Sequence, residues 1–251
     1  MSHSVPDPEP EYEPQSLLSI AVRIIGSALA AVALVAVVVG VSVLFRSERT
    51  AVNRVAVGDG SQLAFRSSNS DLKIIDGKGE DVVIKAHVTN GLRETSYELR
   101  RDDNEFSIVG RCIRWLSPGC GVRVTIAVPD GYPLLIATGA GDVDVVGLED
   151  RVVTVATGSG EVTGSKLSVQ ELSVNTDGGH VLAKFSKQPY ALKVTTKEGN
   201  IRAIIPSGRI SYLTTVKSTS GGVASSLVSD RRGDGLVRLL SDKGDIRVTR
   251  R

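Results

Sequence analysis

A chain of 251 residues with a formal charge of +2 has room for one or two domains and lacks the basic excess of a nucleic-acid-binding protein. No histidine lies near either of the two cysteines in sequence, two Cys alone do not complete a tetrahedral zinc site, and no G-x-S-x-G accompanies the three histidines, so metal and Ser-His-Asp chemistry have little to stand on. Aromatic residues make up only 4%, which suits a narrow core of Val, Ile and Leu.

Residues 1–16 carry Asp7, Glu9, Glu11 and Glu13 among four prolines and almost nothing apolar. Such a segment cannot bury enough surface to offset its ordering entropy, so a disordered acidic tail is expected. Residues 17–46 follow as a transmembrane segment, whose uncharged core of 22 residues, 24–45, lies between Arg23 and Arg46. As a helix it would span about 33 Å, enough for a hydrocarbon core of about 30 Å, and it is longer than the apolar part of a cleaved signal peptide. Gly26, Ala30, Ala36 and Gly40 have small-xxx-small spacing, which allows a weak homodimer through this helix.

Two clues to orientation disagree. Arg46, Arg49 and Arg54 follow the helix and only Arg23 precedes it, which by charge would keep the large domain inside. Cys112 and Cys120 flank IRWLSPG, whose Pro118 and Gly119 favour a turn, and two thiols so placed point to a disulfide and an oxidising compartment. Charge bias weakens for long translocated domains. The expectation is therefore a single-pass plasma-membrane protein with a cytoplasmic N-terminus and an extracytoplasmic C-terminal domain.

Residues 47–62 read as a linker and first strand, and residues 63–132 as an N-terminal β region or cap. Within it SSNSDLKI, residues 67–74, looks like an isolated repeat with Ser70 in the glycine slot. DVVIKAHV, SYELRRDDNEFSIV and VRVTIAVPDG read as longer antiparallel strands. His87 shares the outward face of its strand with Lys85 and is expected to be exposed.

From residue 133 to 251 one phrase recurs as ATGAGDVDV, ATGSGEVTG, NTDGGHVLA, TTKEGNIRA, STSGGVASS and LSDKGDIRV. Its turn glycines are Gly141, Gly160, Gly179, Gly199, Gly221 and Gly244, each followed after one residue by Val or Ile. A G-x-G beside a Val-rich run raises the question of a phosphate loop. A dinucleotide fingerprint, however, must open a helix, and these glycines run straight into strand patterns. One unit is thus a strand, a glycine turn, a second strand and a variable corner, too small to fold alone. Units stacked side by side share one core, so the expected fold is all-β, a parallel β-solenoid with flanking antiparallel strands. An antiparallel meander or sandwich built from the same turns is the alternative.

The residues after the turn glycines are Asp142, Glu161, His180, Asn200, Gly222 and Asp245. Stacked about 4.8 Å apart they would form a polar column, in which Asp142 beside Glu161 repels unless solvated or bridged by a cation. The calcium nonapeptide is absent, and polar turn residues need no ligand. Tyr132 and Tyr190 share a slot two residues before Leu134 and Leu192, where corner packing accounts for them better than a sugar-stacking strip. Arg232-Gly233-Asp234 reads as an ordinary turn. Arg231, Arg232, Arg238, Lys243, Arg247, Arg250 and Arg251 enrich the last stretch in cations. Solvent-facing strand positions account for them, with an anionic envelope polymer as the sharper reading.

At VRVTIAVPDGYPLLIATGAGDVDV, residues 122–145, the chain resembles the bacterial membrane-anchored β-strand-repeat family called "putative adhesins". The resemblance covers roughly residues 52 to 250 and rests on a VPDG turn leading into serial [TS]-x-G-[DENGH]-[VI] units. It implies a β-solenoid-like fold and a surface or envelope location, and no catalytic residue. The resulting expectation is a non-enzymatic adhesin-like or envelope-scaffold module without cofactor. Its expected partners are the lipid bilayer and a cell-surface or envelope polymer or protein, not nucleic acid. A membrane-associated regulatory or sensory module is the alternative, and a β-helix carbohydrate-active enzyme the weaker one, since no carboxylate pair stands out.

Overall fold

The computed structural model describes residues 25, 27–37, 40, 47–58, 60–91, 93–112 and 119–251. The chain divides into two compact units, Met1–Phe45 and Arg46–Arg251. In the first, residues 27–37 are helical, with apolar side chains such as Leu29 and Leu34 exposed. Among the described residues no helix is long and apolar enough to cross a membrane. The acidic tail and both ends of the expected span lie outside the described residues.

The second unit is all β. Its N-terminal part holds β1 (Ser47–Ala56), β2 (Leu63–Ser67), β3 (Asp71–Asp76), β4 (Asp81–Asn90), β5 (Ser96–Asp102), β6 (Glu105–Arg111) and β7 (Gly121–Val128). The repeats follow as β8 (Leu134–Ala140), β9 (Val143–Val146), β10 (Val152–Ser159), β11 (Val162–Leu167), β12 (Glu171–Gly178) and β13 (Val181–Phe185). The last three are β14 (Ala191–Glu198) with β15 (Ile201–Ile205), β16 (Tyr212–Ser220) with β17 (Val223–Ser225), and β18 (Gly235–Lys243) with β19 (Ile246–Arg250). The first strand of each pair joins one sheet, ordered β16-β18-β14-β12-β10-β8-β2-β6-β5. The second joins the other, ordered β1-β4-β7-β3-β9-β11-β13-β15-β19-β17.

Each pair is one rung, and rungs stack in parallel, as Val153 opposite Leu134 and Leu172 illustrates. The meander is thereby set aside, because antiparallel pairing is confined to the caps: β1 on β4, β4 on β7, and β5 on β6. Side chains alternate across each strand, so Leu134, Val153, Leu172, Leu192 and Val237 line one wall of the core. Val143, Val162, Val181, Ile201 and Ile246 line the facing wall. Small residues Gly164, Ala183 and Ala203 follow two positions later, and a side chain at Gly164 would strike Leu167 Cδ1 at 2.6 Å.

Two features depart from the linear stacking expected of the repeats. At the C-terminal end β18 and β19 insert between β14/β15 and β16/β17, so the sixth unit lies inside the fifth. At the other end β6 runs parallel to β2, and β7 parallel to β3, forming a rung outside that of Ser70. Residues 105–128 are therefore a rung with a long corner, not a pair of cap strands; β1, β4 and β5 serve as the antiparallel caps. Register along a parallel stack is set by an apolar face that all rungs share, which leaves order to the ends of the chain.

Candidate functional site

The turn glycines form a continuous corner. A Cβ on Gly160 would lie 2.2 Å from the carbonyl oxygen of Gly141, and Gly160 has φ of 127°. Both the backbone conformation and the approach of the neighbouring rung therefore require glycine there. The same contact links Gly141 to Ser70, and Gly221 to Gly244 rather than to Gly199, which repeats the order of the rungs.

The structure brings Asp142, Glu161, His180, Asn200 and Asp245 into one exposed column and places Asp71 at its head. Most of these side chains bond to the next rung. Asp142 Oδ1 accepts the N–H of Glu161 at 2.8 Å, and His180 Nδ1 that of Asn200 at 3.0 Å. Asn200 Oδ1 accepts the N–H of Asp245 at 2.7 Å, and Asp245 Oδ1 that of Gly222 at 2.7 Å. Asp71 Oδ1 accepts the N–H of Asp142 more weakly, at 3.3 Å. The charge of Asp142 thus faces an amide donor, and no cation is needed to explain its place beside Glu161.

Inside the corner runs a second column that the repeat phrase contains but sequence reasoning passed over. Three residues before each glycine slot stands a hydroxyl: Ser67, Thr138, Thr157, Thr176, Thr196, Ser218 and Ser241. Ser218 Oγ donates to Gly244 O at 2.8 Å and Ser241 Oγ to Gly199 O at 3.1 Å. The hydroxyls of Thr138, Thr176 and Thr196 are buried and have no partner among the described residues.

Cys112 and Cys120 are joined in a disulfide with Cα atoms 6.1 Å apart. It closes the long corner between β6 and β7; the apex, residues 113–118, lies outside the described residues. Beside it a groove of about 880 Å³ runs along the glycine corner past Asp71, Arg111, Gly121 and Asp142. Its two carboxylates are those already engaged by the column.

The opposite corner holds the one charged side chain that is buried throughout among the described residues. Arg151 donates to Pro129 O at 2.9 Å, Glu149 O at 3.1 Å, Asp76 Oδ1 at 2.9 Å and Asp130 Oδ1 at 2.8 Å. It fastens the VPDG turn and the end of β3 to the corner after β9. Burial, then the neighbouring Asp130 charge, pushes the Asp76 carboxyl above its ordinary value. Arg151 occupies the slot of Tyr132, Gln170 and Tyr190, two residues before Val153. In the first four repeats, a charge in a slot otherwise filled by Tyr or Gln was the signal.

Tyr190 is exposed and Tyr132 is half-buried against the core, so they form no continuous strip. His87 is exposed, with Nδ1 3.2 Å from Thr50 Oγ1. The Arg232-Gly233-Asp234 stretch sits in a turn held by Asp230, whose Oδ1 accepts the N–H of Arg232 at 2.9 Å. Among the described residues no cluster of His, Cys, Asp and Glu could hold a metal ion.

A family model described as Toastrack DUF4097 matches residues 61–181 and again 134–249. Solved structures include a "putative cell adhesion protein" from Clostridium sporogenes, 10% identical with a TM-score of 0.49, covering 82% of this chain and 100% of that one. A "putative adhesin" from Bacteroides fragilis is 10% identical with a TM-score of 0.45, covering 81% of this chain and 98% of that one. Both likenesses are too distant to bear on function. No curated protein matches the chain.

Proposed function

The chain belongs to the Toastrack DUF4097 family, and from that premise we propose that it presents a membrane-anchored β-solenoid outside the cell. There it acts by surface recognition or as an envelope scaffold, without catalysis or cofactor. The observation that carries the location is the Cys112–Cys120 disulfide, a bond that persists in oxidising compartments. The anchor is supported by the uncharged run of residues 24–45 and by exposed Leu29, Val32, Leu34, Val35 and Val37 on the helix within it. A helix apolar on all sides belongs in lipid or against another apolar helix. A recognition role is supported by how the turn polar groups are engaged: column side chains bond to adjacent rungs, which leaves broad, rigid outer faces as the surface on offer.

The deciding experiment places a topology reporter after Arg251 and treats wall-permeabilised cells with protease. The reading expects a reporter active outside the cytoplasm and a domain that is digested. A protected domain with a cytoplasmically active reporter overturns it.

A further inference from the structure

The C-terminal rungs carry different charge arrangements on their two outer faces. On the face of β12, β14 and β18 cations meet anions: Lys193 Nζ lies 2.7 Å from Glu171, Lys197 2.7 Å from Asp177 and Lys243 2.6 Å from Glu198. On the face of β13, β15 and β19 they do not. Arg202 and Arg247 are direct partners across β15 and β19, about 4.8 Å apart in backbone spacing. Lys184 lies opposite Ile204, one diagonal step of about 7–8 Å from Arg202. All three are exposed, and none forms an ion pair among the described residues.

Their outward neighbours Thr163, Ser165, Leu182, Ile204 and Thr249 include no acid. The acid closest in sequence, Asp245, has its carboxylate on the N–H of Gly222. Like charges directly opposite on neighbouring strands are destabilising, and no ion pair among the described residues offsets this one. Alongside runs a groove of about 360 Å³ lined by Leu182, Phe185, Ile204 and Pro206 and flanked by Lys184, Arg202 and Arg251.

From this we infer that the face binds a linear polymer bearing phosphate groups. Arg202, Arg247 and Lys184 engage successive phosphates, and the groove seats the organic linker between them. A guanidinium matches phosphate with two parallel N–H donors, and a row of cations along the solenoid axis suits a chain better than a single ion. A flat bilayer fits less well, because Asp144 stands exposed on the same sheet, with Asp142 and Glu161 exposed on the corner at its margin, and these acids would face the membrane. A chain crossing only the C-terminal rungs avoids them. The inference deepens the proposed reading and rests on it for where the polymer is met.

The test titrates the full chain with inorganic polyphosphate at several salt concentrations. Lys184→Gln, Arg202→Gln and Arg247→Gln together should weaken binding about tenfold or more and lower the slope of log affinity against log salt by about 2. Lys193→Gln, Lys197→Gln and Lys243→Gln remove the same charge from the opposite face and should stay within about threefold of the parent. Equal loss in both sets overturns the site, as does failure of the parent chain to bind at about 0.15 M salt. Tighter, residue-dependent binding to phosphatidylglycerol vesicles also overturns it, in favour of a membrane. If the triple variant does not fold, Arg247→Gln alone should weaken binding about threefold, and no loss sinks the site. Binding retained by a domain found on the cytoplasmic side would leave the site standing and remove only the location.

Discussion

Each rung turns twice, and its two corners are built on different plans. The glycine corner is two residues long in all six repeats, from Gly141-Asp142 to Gly244-Asp245. It is held by backbone approach and, in most rungs, by one side chain reaching to the next. The far corner ranges from residues 168–170 to residues 226–234, and each example is fastened differently. Arg151 binds four acceptors; Gln188 bonds to both the N–H and the carbonyl of Ile210, at 2.9 and 3.1 Å; Tyr212 donates its hydroxyl to Pro189 O at 2.8 Å. A repeat can thus vary freely at one corner because the other is fixed.

The sharpest way to break this contrast is at the glycine corner. Gly160→Val sets a side chain against the Gly141 carbonyl at a backbone angle disfavoured for valine, and it should cost more than about 4 kcal/mol in chemical denaturation. Gly179→Val should cost the same to within about 1 kcal/mol; a wide disagreement would mean that the corners are not equivalent.

At the far corner Arg151→Met should cost about 3 kcal/mol, because it strips the partner from two carboxylates and the Pro129 carbonyl. It also changes the pH profile. The Asp76 pKa is raised on folding, so the stability it lends is complete below the unfolded value near 3.8 and is lost as pH rises through the folded value. Arg151 opposes that rise, so its removal should extend the loss to higher pH, and Asp76→Asn should abolish it. A flat difference profile between parent and Asp76→Asn would contradict this assignment.

Tyr212→Phe should cost about 1 kcal/mol in the same denaturation measurement, since it leaves the Pro189 carbonyl unpaired. Burial pushes the Tyr212 phenol up to about 12, so an ultraviolet pH titration should show it ionising after exposed tyrosines. Asp142→Ala should be the mildest, about 0.5 kcal/mol, because the Glu161 N–H it exposes can turn to water.

What the sequence made legible follows the same division. Glycine followed by Val or Ile at a near-constant interval is readable because the close approach of the neighbouring rung excludes a side chain at this corner from Gly141 to Gly244, Ser70 filling the slot only in the N-terminal rung. The polar column was readable as a position, and its engagement of backbone N–H groups only from the fold. Arg151 was hidden because its acceptors, Asp76 and Pro129, lie 75 and 22 residues away. The exchanged order of the last two rungs left a fainter trace. Inward positions Thr214, Val216 and Ser225 of β16 and β17 are less apolar than Val237, Leu239 and Val248 of β18 and β19, as suits an outermost layer. The rung made by β6 and β7 was missed because its corner is stretched by the cysteine loop.

That exchange also bears on how the chain acquires its shape. A solenoid stacked in sequence order can grow one rung at a time as it leaves the ribosome or translocon. Here β16 and β17 emerge first yet find their seat only on β18 and β19, so the fifth repeat must wait for the sixth. During that wait the edges of β14 and β15 are open templates for any passing strand, and the final closure couples the last two rungs into one cooperative step.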